Sequence, residues 1–372
     1  MPSFKPRINR VIVEEGAADR SLGSKILSSI PAGSIPIDRI ACAESKSREG
    51  SEHADGLGKD VLHLLSYKGE FLKPCPGTKN YICCGYRILN VGTNCPMDCS
   101  YCILQSYFNN PNLRVFTNLD EQIRTVLDEI DSAPWRIHRI GTGEFTDSLA
   151  LDHLTGWAQM LIPLFSTRKN SILELKTKTD NINGVLKTSE RDRIVISWSL
   201  NSSYISTREE HRAPSLRARL EAARRCQAEG FVVGFHFDPI VVHDGWKEGY
   251  ARTIDLLDTM IEPDRVIWIS MGSMRYMPAL KAVIRSRHPK TCILDGEFVT
   301  GLDGKMRYFK PIRIELYREI SERLNTWHPD LGIYLCMESD DVWKNSMGWS
   351  PGTSKGLACY LDSRVVRIFG WR

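Results

Sequence analysis

Asn94-Cys95-Pro96-Met97-Asp98-Cys99-Ser100-Tyr101-Cys102 places three cysteines within eight residues, separated by three and then two intervening positions. Thiolates at this spacing can hold three corners of an iron-sulfur cube. Such clusters are ordinarily held by four cysteines, so the lack of a fourth in the same loop leaves one iron open to another ligand. Spacing alone also admits part of a zinc site or three packed cysteines. The flanking chain has to decide between them.

Just before the cysteines, Tyr86-Arg87-Ile88-Leu89-Asn90-Val91 reads as a strand. From there strand-like and helix-like runs alternate, the chief signature of a parallel sheet covered by helices. The expected strands are Ile88–Val91, Ile137–Gly141, Ile172–Lys176, Ile194–Leu200, Val232–Phe237 and Val266–Met271. Helical patterns lie between them at Leu119–Ile130, Leu154–Phe165, Ser215–Glu229, Tyr250–Ile261 and Met277–Arg285. Asn118 is placed to cap the first, and Pro214 and Gly230 bracket the third. Six strand-helix units over about 200 residues predict an α/β fold, a partial (β/α)6 barrel of the TIM type that stays open on one side. Chemistry in parallel barrels sits at the C-terminal strand ends, and the cysteine trio follows the first strand on that face.

Outside the barrel the expectations are looser. Residues 1–80 read as an N-terminal extension, partly mobile, with Ala43-Glu44-Ser45-Lys46-Ser47-Arg48-Glu49-Gly50-Ser51-Glu52 as an exposed connection. Residues 81–290 make the barrel and 291–372 a tail. In the tail, Glu297 to Phe309 reads as a hairpin turning at Asp303-Gly304, since Asp-Gly supplies the backbone angles of a tight turn. A helix over Ile314–Leu324, a strand over Ile333–Cys336 and a short helix over Asp340–Asn345 follow.

The chain has 372 residues, a net charge of +4 and a pI near 8.4, which permits an acidic partner such as nucleic acid without marking a strongly basic domain. No run of about 18 apolar residues occurs, and Met1-Pro2-Ser3-Phe4-Lys5-Pro6-Arg7 lacks the apolar centre of a signal peptide. A cytoplasmic location away from membranes is expected. Eleven cysteines in a reducing compartment argue for metal or redox chemistry over disulfides. Cys42, Cys226, Cys292, Cys336 and Cys359 are scattered and read as small buried hydrophobes. Cys75, Cys83 and Cys84 lack a regular ligand spacing and read as core or loop residues.

Beyond the cysteines, the second strand ends in Gly141-Thr142-Gly143-Glu144, a carboxylate beside two glycines at the reactive face. Lys178 follows the third strand and Ser199 ends the fourth. On the hairpin and after it, Lys305, Arg307, Tyr308, Lys310 and Arg313 interleave base and aromatic character, a set able to clamp phosphates and stack on an unpaired base, or else a solvated basic face.

Cys95, Cys99 and Cys102 at this spacing resemble the signature of the radical S-adenosylmethionine superfamily. Asp152-His153-Leu154-Thr155, Glu210-His211-Arg212-Ala213-Pro214-Ser215, Gly234 to Ile240 and His243 to Tyr250 resemble the spore photoproduct lyase family over roughly residues 60 to 345. The resemblance implies a 4Fe-4S cluster on the three cysteines and S-adenosyl-L-methionine on the open iron, with Lys178 and Ser199 at positions that hold the cosubstrate. It implies a catalytic role for Tyr101, a 5'-deoxyadenosyl radical, and DNA carrying a thymine dimer as the substrate. A small-molecule or protein electron donor is expected alongside. Two departures stand out. Glu144 occupies the position of the family's hydrogen-donating cysteine, and Ile103 replaces a tyrosine after the third cluster cysteine. Many superfamily members end their second strand in Gly-Gly-Glu with the glutamate on the cosubstrate's ammonium, and Thr142-Gly143-Glu144 resembles that pattern. Radical chemistry on another substrate, or a non-catalytic iron-sulfur binder of nucleic acid, are the competing expectations. Repair is expected to be slow or leaky unless a distant cysteine such as Cys336 is folded into the site.

Overall fold

The computed structural model describes residues 4–41, 58–78 and 80–371. Its central sheet comprises β4 (Leu72–Pro74), β5 (Arg87–Leu89), β9 (His138–Gly141), β10 (Ser171–Thr177), β11 (Ile194–Ser199), β13 (Val232–Ile240), β14 (Val266–Ser273) and β18 (Ile333–Leu335). Their spatial order is β18-β14-β13-β11-β10-β9-β5-β4. From β5 to β18 every neighbouring pair is parallel, and β4 closes the edge antiparallel to β5. All six expected strands are present. A seventh parallel strand, β18, comes from the segment read as tail and pairs with β14 through Ile269 and Ile333.

Burial explains the sheet. Every residue of β11, Ile194-Val195-Ile196-Ser197-Trp198-Ser199, is buried, as befits a strand covered on both faces. Because side chains alternate across a strand, residues two apart share a face. Glu174 and Lys176, Ser197 and Ser199, and His236 thereby project together on the side away from the outer helices. The apolar residues between them, among them Leu173, Leu175, Ile196, Trp198 and Phe235, belong to the buried core.

The helices follow the sequence with local adjustments. Leu119–Asp131 carries Asp120 and Glu121 in its first turn, where acids favour the helix dipole. Leu216–Ala228 starts at Ser215, whose hydroxyl accepts from the Ala218 amide at 3.3 Å. The single helix expected over Leu154–Phe165 is instead a turn, Asp152–Thr155, and a helix, Trp157–Ser166. Gly156 separates them at φ +64°, a left-handed angle that ends one helix and admits the next only because glycine has no Cβ.

The N-terminal region departs most from expectation. The connection expected over residues 43–52 lies outside the described residues. Of the described part of 1–80, β4 belongs to the central sheet, while β1 (Arg10–Glu14), β2 (Ile37–Ile40) and β3 (Val61–Leu65) join β6 (Gly92–Thr93) and β8 (Leu113–Phe116) in a second, five-stranded sheet of order β2-β1-β3-β8-β6. Two of those strands flank the cysteine loop, so this segment is part of the scaffold that holds it. Its strands are short and its pairings long-range, which is why the local pattern read as an appendage. The hairpin forms as expected from β16 (Phe298–Thr300) and β17 (Met306–Tyr308), and β15 (Arg275–Tyr276) pairs with β17 on its other side.

Candidate active site

The cysteine loop leaves β6 through Asn94, whose φ of 66° turns the chain back. Asn94 Nδ2 donates to the carbonyls of Asn110 and Asn112 at 2.7 and 2.8 Å. Cys99 lies in β7 (Asp98–Cys99), which pairs antiparallel with β12 (Glu210–His211). Gln105 Nε2 donates to the carbonyls of Cys99, Ser100 and Cys102 at 3.2, 3.0 and 3.2 Å, clamping the second half of the loop. Lys59 and Arg287 lie 3.3 and 2.7 Å from Asp98 Oδ1. Burial would raise the Asp98 carboxyl, but these two cations hold it below its usual range. The loop is therefore fixed from both the N-terminal region, through Lys59, and the helix Pro278–Arg287, through Arg287.

Cys95, Cys99 and Cys102 all line one cavity of about 320 Å³ at the C-terminal end of the parallel strands. Burial pushes the Cys95 thiol above its usual range and the Cys99 thiol up to about 12. Such thiols hold their protons until a metal displaces them. Among the described residues no three His, Cys, Asp or Glu converge closely enough to hold a single metal ion. The donor set on the cavity wall, three thiols at separate positions, is of the kind an iron-sulfur cube takes, one thiolate at each of three irons.

The remaining expected residues reach the same cavity. Tyr101 is buried, its hydroxyl donates to Glu210, and Glu210 pairs with Arg219 at 2.5 Å with neither side chain exposed. Burial, reinforced by Glu210, keeps the Tyr101 phenol protonated far beyond its usual range. The Lys178 ammonium stands 5.6 Å from the Tyr101 ring centroid, and its backbone amide donates to Asp147 at 2.8 Å. Ser199 is buried at the rim of β11. Glu144 shares one oxygen with Lys176 Nζ at 2.8 Å, and Cys75 Sγ donates to the other at 3.8 Å. Gly143 is required by the close pass of β10, since a Cβ there would lie 2.8 Å from Lys176. Ile103 stands 42% exposed at the cavity wall.

Beneath these groups Glu174 accepts from Ser197 and from Trp268 Nε1 at 2.9 Å, and His236 Nε2 lies 2.9 Å from the same oxygen. His236 Nδ1 in turn sits 2.6 Å from Ser270 Oγ. Burial alone would raise the Glu174 carboxyl, but the His236 ring and the three donors take it down to about 2. The network is satisfied and rigid, a floor for the cavity.

The basic set of the hairpin divides. Arg307 is 1% exposed and forms a paired contact with Asp303 at 2.8 and 3.1 Å, while its guanidinium lies 4.1 Å from the Tyr81 ring centroid. Tyr308 is equally buried and its hydroxyl accepts from the Val242 amide at 3.1 Å. Arg313 pairs with Glu338 at 3.0 Å and donates to the Tyr308 carbonyl at 2.6 Å. These three brace the hairpin from inside. Lys305 faces the cavity, held by Thr78 Oγ1 at 2.9 Å, and Lys310 is exposed beside Asp341.

Several cavity residues escaped the sequence reading. Lys176 sits two residues before Lys178 and shares its strand face with Glu174, a period-two signal that was available. Arg275 grips Asp238 at 2.9 and 3.1 Å, and Tyr107, half exposed at the mouth, stacks 5.7 Å from Phe145. Cys75 and Cys84, read as core or loop residues, line the same cavity as the trio, and so does Cys336, the distant cysteine whose folding into the site was the open expectation.

A family model of spore photoproduct lyase matches residues 83–312. The chain is 29% identical over 204 residues to spore photoproduct lyase of Geobacillus sp. (strain Y412MC61), covering 54% of this chain and 60% of that protein. It is 28% identical over 255 residues to the enzyme of the same name from Bacillus subtilis (strain 168), covering 65% and 73% respectively. Among solved structures, a spore photoproduct lyase mutant superimposes with a TM-score of 0.78 at 22% identity, covering 90% of this chain and 100% of that one. A second mutant, with bound AdoMet and dinucleoside spore photoproduct, gives 0.77 at 22% identity, covering 90% and 99%. At that identity the structures establish a shared fold.

Proposed function

Because the chain belongs to the spore photoproduct lyase family of radical S-adenosylmethionine enzymes, we propose that it acts on a thymine dimer in DNA, removing one hydrogen from the lesion so that the carbon-carbon bond joining the bases breaks. One observation carries this reading. A single cavity of about 320 Å³ gathers Cys95, Cys99 and Cys102 with Tyr101, Glu144, Lys178 and Ser199, and opens beside Lys305 and Tyr107. A 4Fe-4S cluster on the three thiolates with S-adenosyl-L-methionine on its open iron supplies, when bound and reduced, a 5'-deoxyadenosyl radical.

The chain's own residues bind, orient and exclude. Glu144 offers its carboxylate to the cosubstrate's ammonium, with Lys176 fixing its direction. Lys178 and Ser199, at the ends of adjacent strands, are placed to hold the cosubstrate's polar groups. Tyr101 closes the wall beside them, oriented by Glu210 and Arg219. Lys305 and Lys310 serve the phosphate backbone, Tyr107 offers a ring for stacking on a base, and Arg307, Tyr308 and Arg313 hold the hairpin that carries them. The electron comes from a small-molecule or protein donor. Among the described residues no helix is long and apolar enough to cross a membrane, and we place the enzyme in the cytoplasm with its DNA.

Glu144 and Ile103, where the resemblance implies a thiol and a phenol, favour a second reading, the same radical chemistry on another substrate. One experiment separates them. Reduced enzyme is incubated anaerobically with cosubstrate and an oligonucleotide carrying the spore lesion. Restored thymines support the first reading; abundant 5'-deoxyadenosine without repair supports the second. No 5'-deoxyadenosine at all overturns both and leaves a non-catalytic binder.

A further inference from the structure

Once the bond between the two bases breaks, one base is left as a carbon radical one hydrogen atom short of thymine. The cavity must supply that atom from a weak X–H bond. Glu144 has none to give, and Ile103 offers only strong C–H bonds. The cluster-binding cysteines are committed to metal. Three other thiols line the cavity: Cys75, Cys84 and Cys336.

Their contacts differ. Cys336 Sγ accepts from Arg275 Nη2 at 3.7 Å, which places a guanidinium against that sulfur. Cys75 is the donor of its contact, its S–H directed at Glu144 Oε1 across 3.8 Å at the cavity wall. Glu144 is also the group whose other oxygen is fixed by Lys176, so the thiol is aimed by an anchored carboxylate. Burial, and then the Glu144 charge, push the Cys75 thiol far above its usual range, which keeps the sulfur as S–H. Cys75, Cys84 and Cys336 also line a second cavity of about 440 Å³, together with Arg87, Glu129 and His138. The Cys75 sulfur thus stands between the reaction cavity and a polar one through which its proton can exchange.

Resting on the function proposed above, we infer that Cys75 is the hydrogen-atom donor that completes the reaction. Its S–H bond breaks homolytically, the hydrogen atom bonds to the carbon radical to give thymine, and the unpaired electron remains on sulfur as a thiyl radical. One electron from the one-electron reductant that feeds the cluster, and one proton from solvent through the second cavity, restore the thiol. Glu144, standing where the resemblance implies the donor, becomes the group that directs it.

The test uses the cluster-loaded enzyme with dinucleoside spore photoproduct in deuterated water. The wild type should place one deuterium in the restored thymine, because the Cys75 hydrogen exchanges with solvent. Cys75→Ala should lose that label and lower restored thymine per 5'-deoxyadenosine by roughly tenfold or more, while 5'-deoxyadenosine still forms and so reports an intact site. Cys75→Ser, the closest replacement in size, should behave the same, and Cys359→Ala at the surface should match the wild type. Without reductant, saturating dinucleoside lesion should slow alkylation of Cys75 in the loaded enzyme and leave Cys359 unaffected. Repair and labelling unchanged in Cys75→Ala overturn the inference alone, as does loss of label in Cys336→Ala instead, or alkylation of Cys75 indifferent to the lesion. A wild type that makes 5'-deoxyadenosine but repairs nothing overturns the underlying reading and the inference with it.

Discussion

Two groups of three cysteines share one cavity and were gathered in opposite ways. Cys95, Cys99 and Cys102 come from one loop, while Cys75, Cys84 and Cys336 come from the edge of the sheet and from the strand that closes it at the other end. An inorganic cube has fixed edges, so its ligands are most simply supplied by one short segment with fixed spacing. A hydrogen donor has to arrive only at a point, and any element whose end reaches the cavity can bring it there. The first requirement leaves a mark in the sequence and the second leaves none.

The largest expected effect breaks the comparison outright. Cys99→Ala removes one thiolate from the loop, and iron content and 5'-deoxyadenosine should both fall to background, read by iron assay and chromatography. Cys84→Ala, in the same cavity, should keep the wild-type iron content. Equal iron in the two variants would mean that the two groups are not distinct. Between this and the effects below stands the Cys75→Ala experiment described above, which separates radical initiation from product formation.

The floor under both groups is testable through pH. The Glu174 carboxyl is depressed from 4.5 to about 2 in the folded state. A depressed acid contributes stability that is fully present above its unfolded value and is lost as pH falls through its folded value. The window therefore runs from about pH 4.5 down to about 2, and the shift corresponds to about 3 kcal/mol. Glu174→Gln should be less stable than the wild type at pH 7 and should lose less between those limits, followed by denaturant titration at several pH values. An unchanged acid limb would show that Glu174 is not the group that links the floor to acid unfolding.

Glu144 lies between the two groups, and its substitution sharpens the comparison. Glu144→Gln removes the charge that pairs with Lys176 and directs Cys75. A charge-assisted contact to the cosubstrate's ammonium is worth about 1.4 kcal/mol or more, so affinity for S-adenosyl-L-methionine should fall about tenfold in calorimetric titration of the loaded enzyme. Unchanged affinity would assign Glu144 to Cys75 alone.

What could be read in advance follows the same division. The six barrel strands were legible because each is a short β-branched run bounded by polar or glycine residues, as in Ile194 to Ser199. The cluster loop and the ends at Glu144, Lys178 and Ser199 followed from strand order. The strand over Ile333–Cys336 was legible but its place beside β14 was not, and neither was the N-terminal sheet, since strands of two to five residues carry little signal and their partners are distant in sequence. Cys75 was hidden for the same reason, since nothing local to Lys73–Gly77 shows that it meets the trio in one cavity, whereas Cys336 was singled out as the distant cysteine that could fold into the site.

The hairpin repeats the contrast on a smaller scale and yields the smallest expected effect. Lys305, Arg307, Tyr308, Lys310 and Arg313 looked alike as composition, but Arg307 spends its charge on Asp303 inside the fold, whereas Lys305 reaches the cavity wall. Lys305→Ala should weaken binding of a lesion-bearing oligonucleotide by only a few fold and reduce the salt dependence of binding by about one ion. Arg307→Ala should instead lower thermal stability, because it takes from Asp303 the paired contact that, ahead of Lys305 at 3.6 Å, holds its carboxyl below the usual range against burial. Fluorescence anisotropy at several salt concentrations and thermal melts distinguish the two. If Arg307→Ala changes the salt slope and not the melting temperature, the arginine faces the nucleic acid after all and the hairpin opens in the complex.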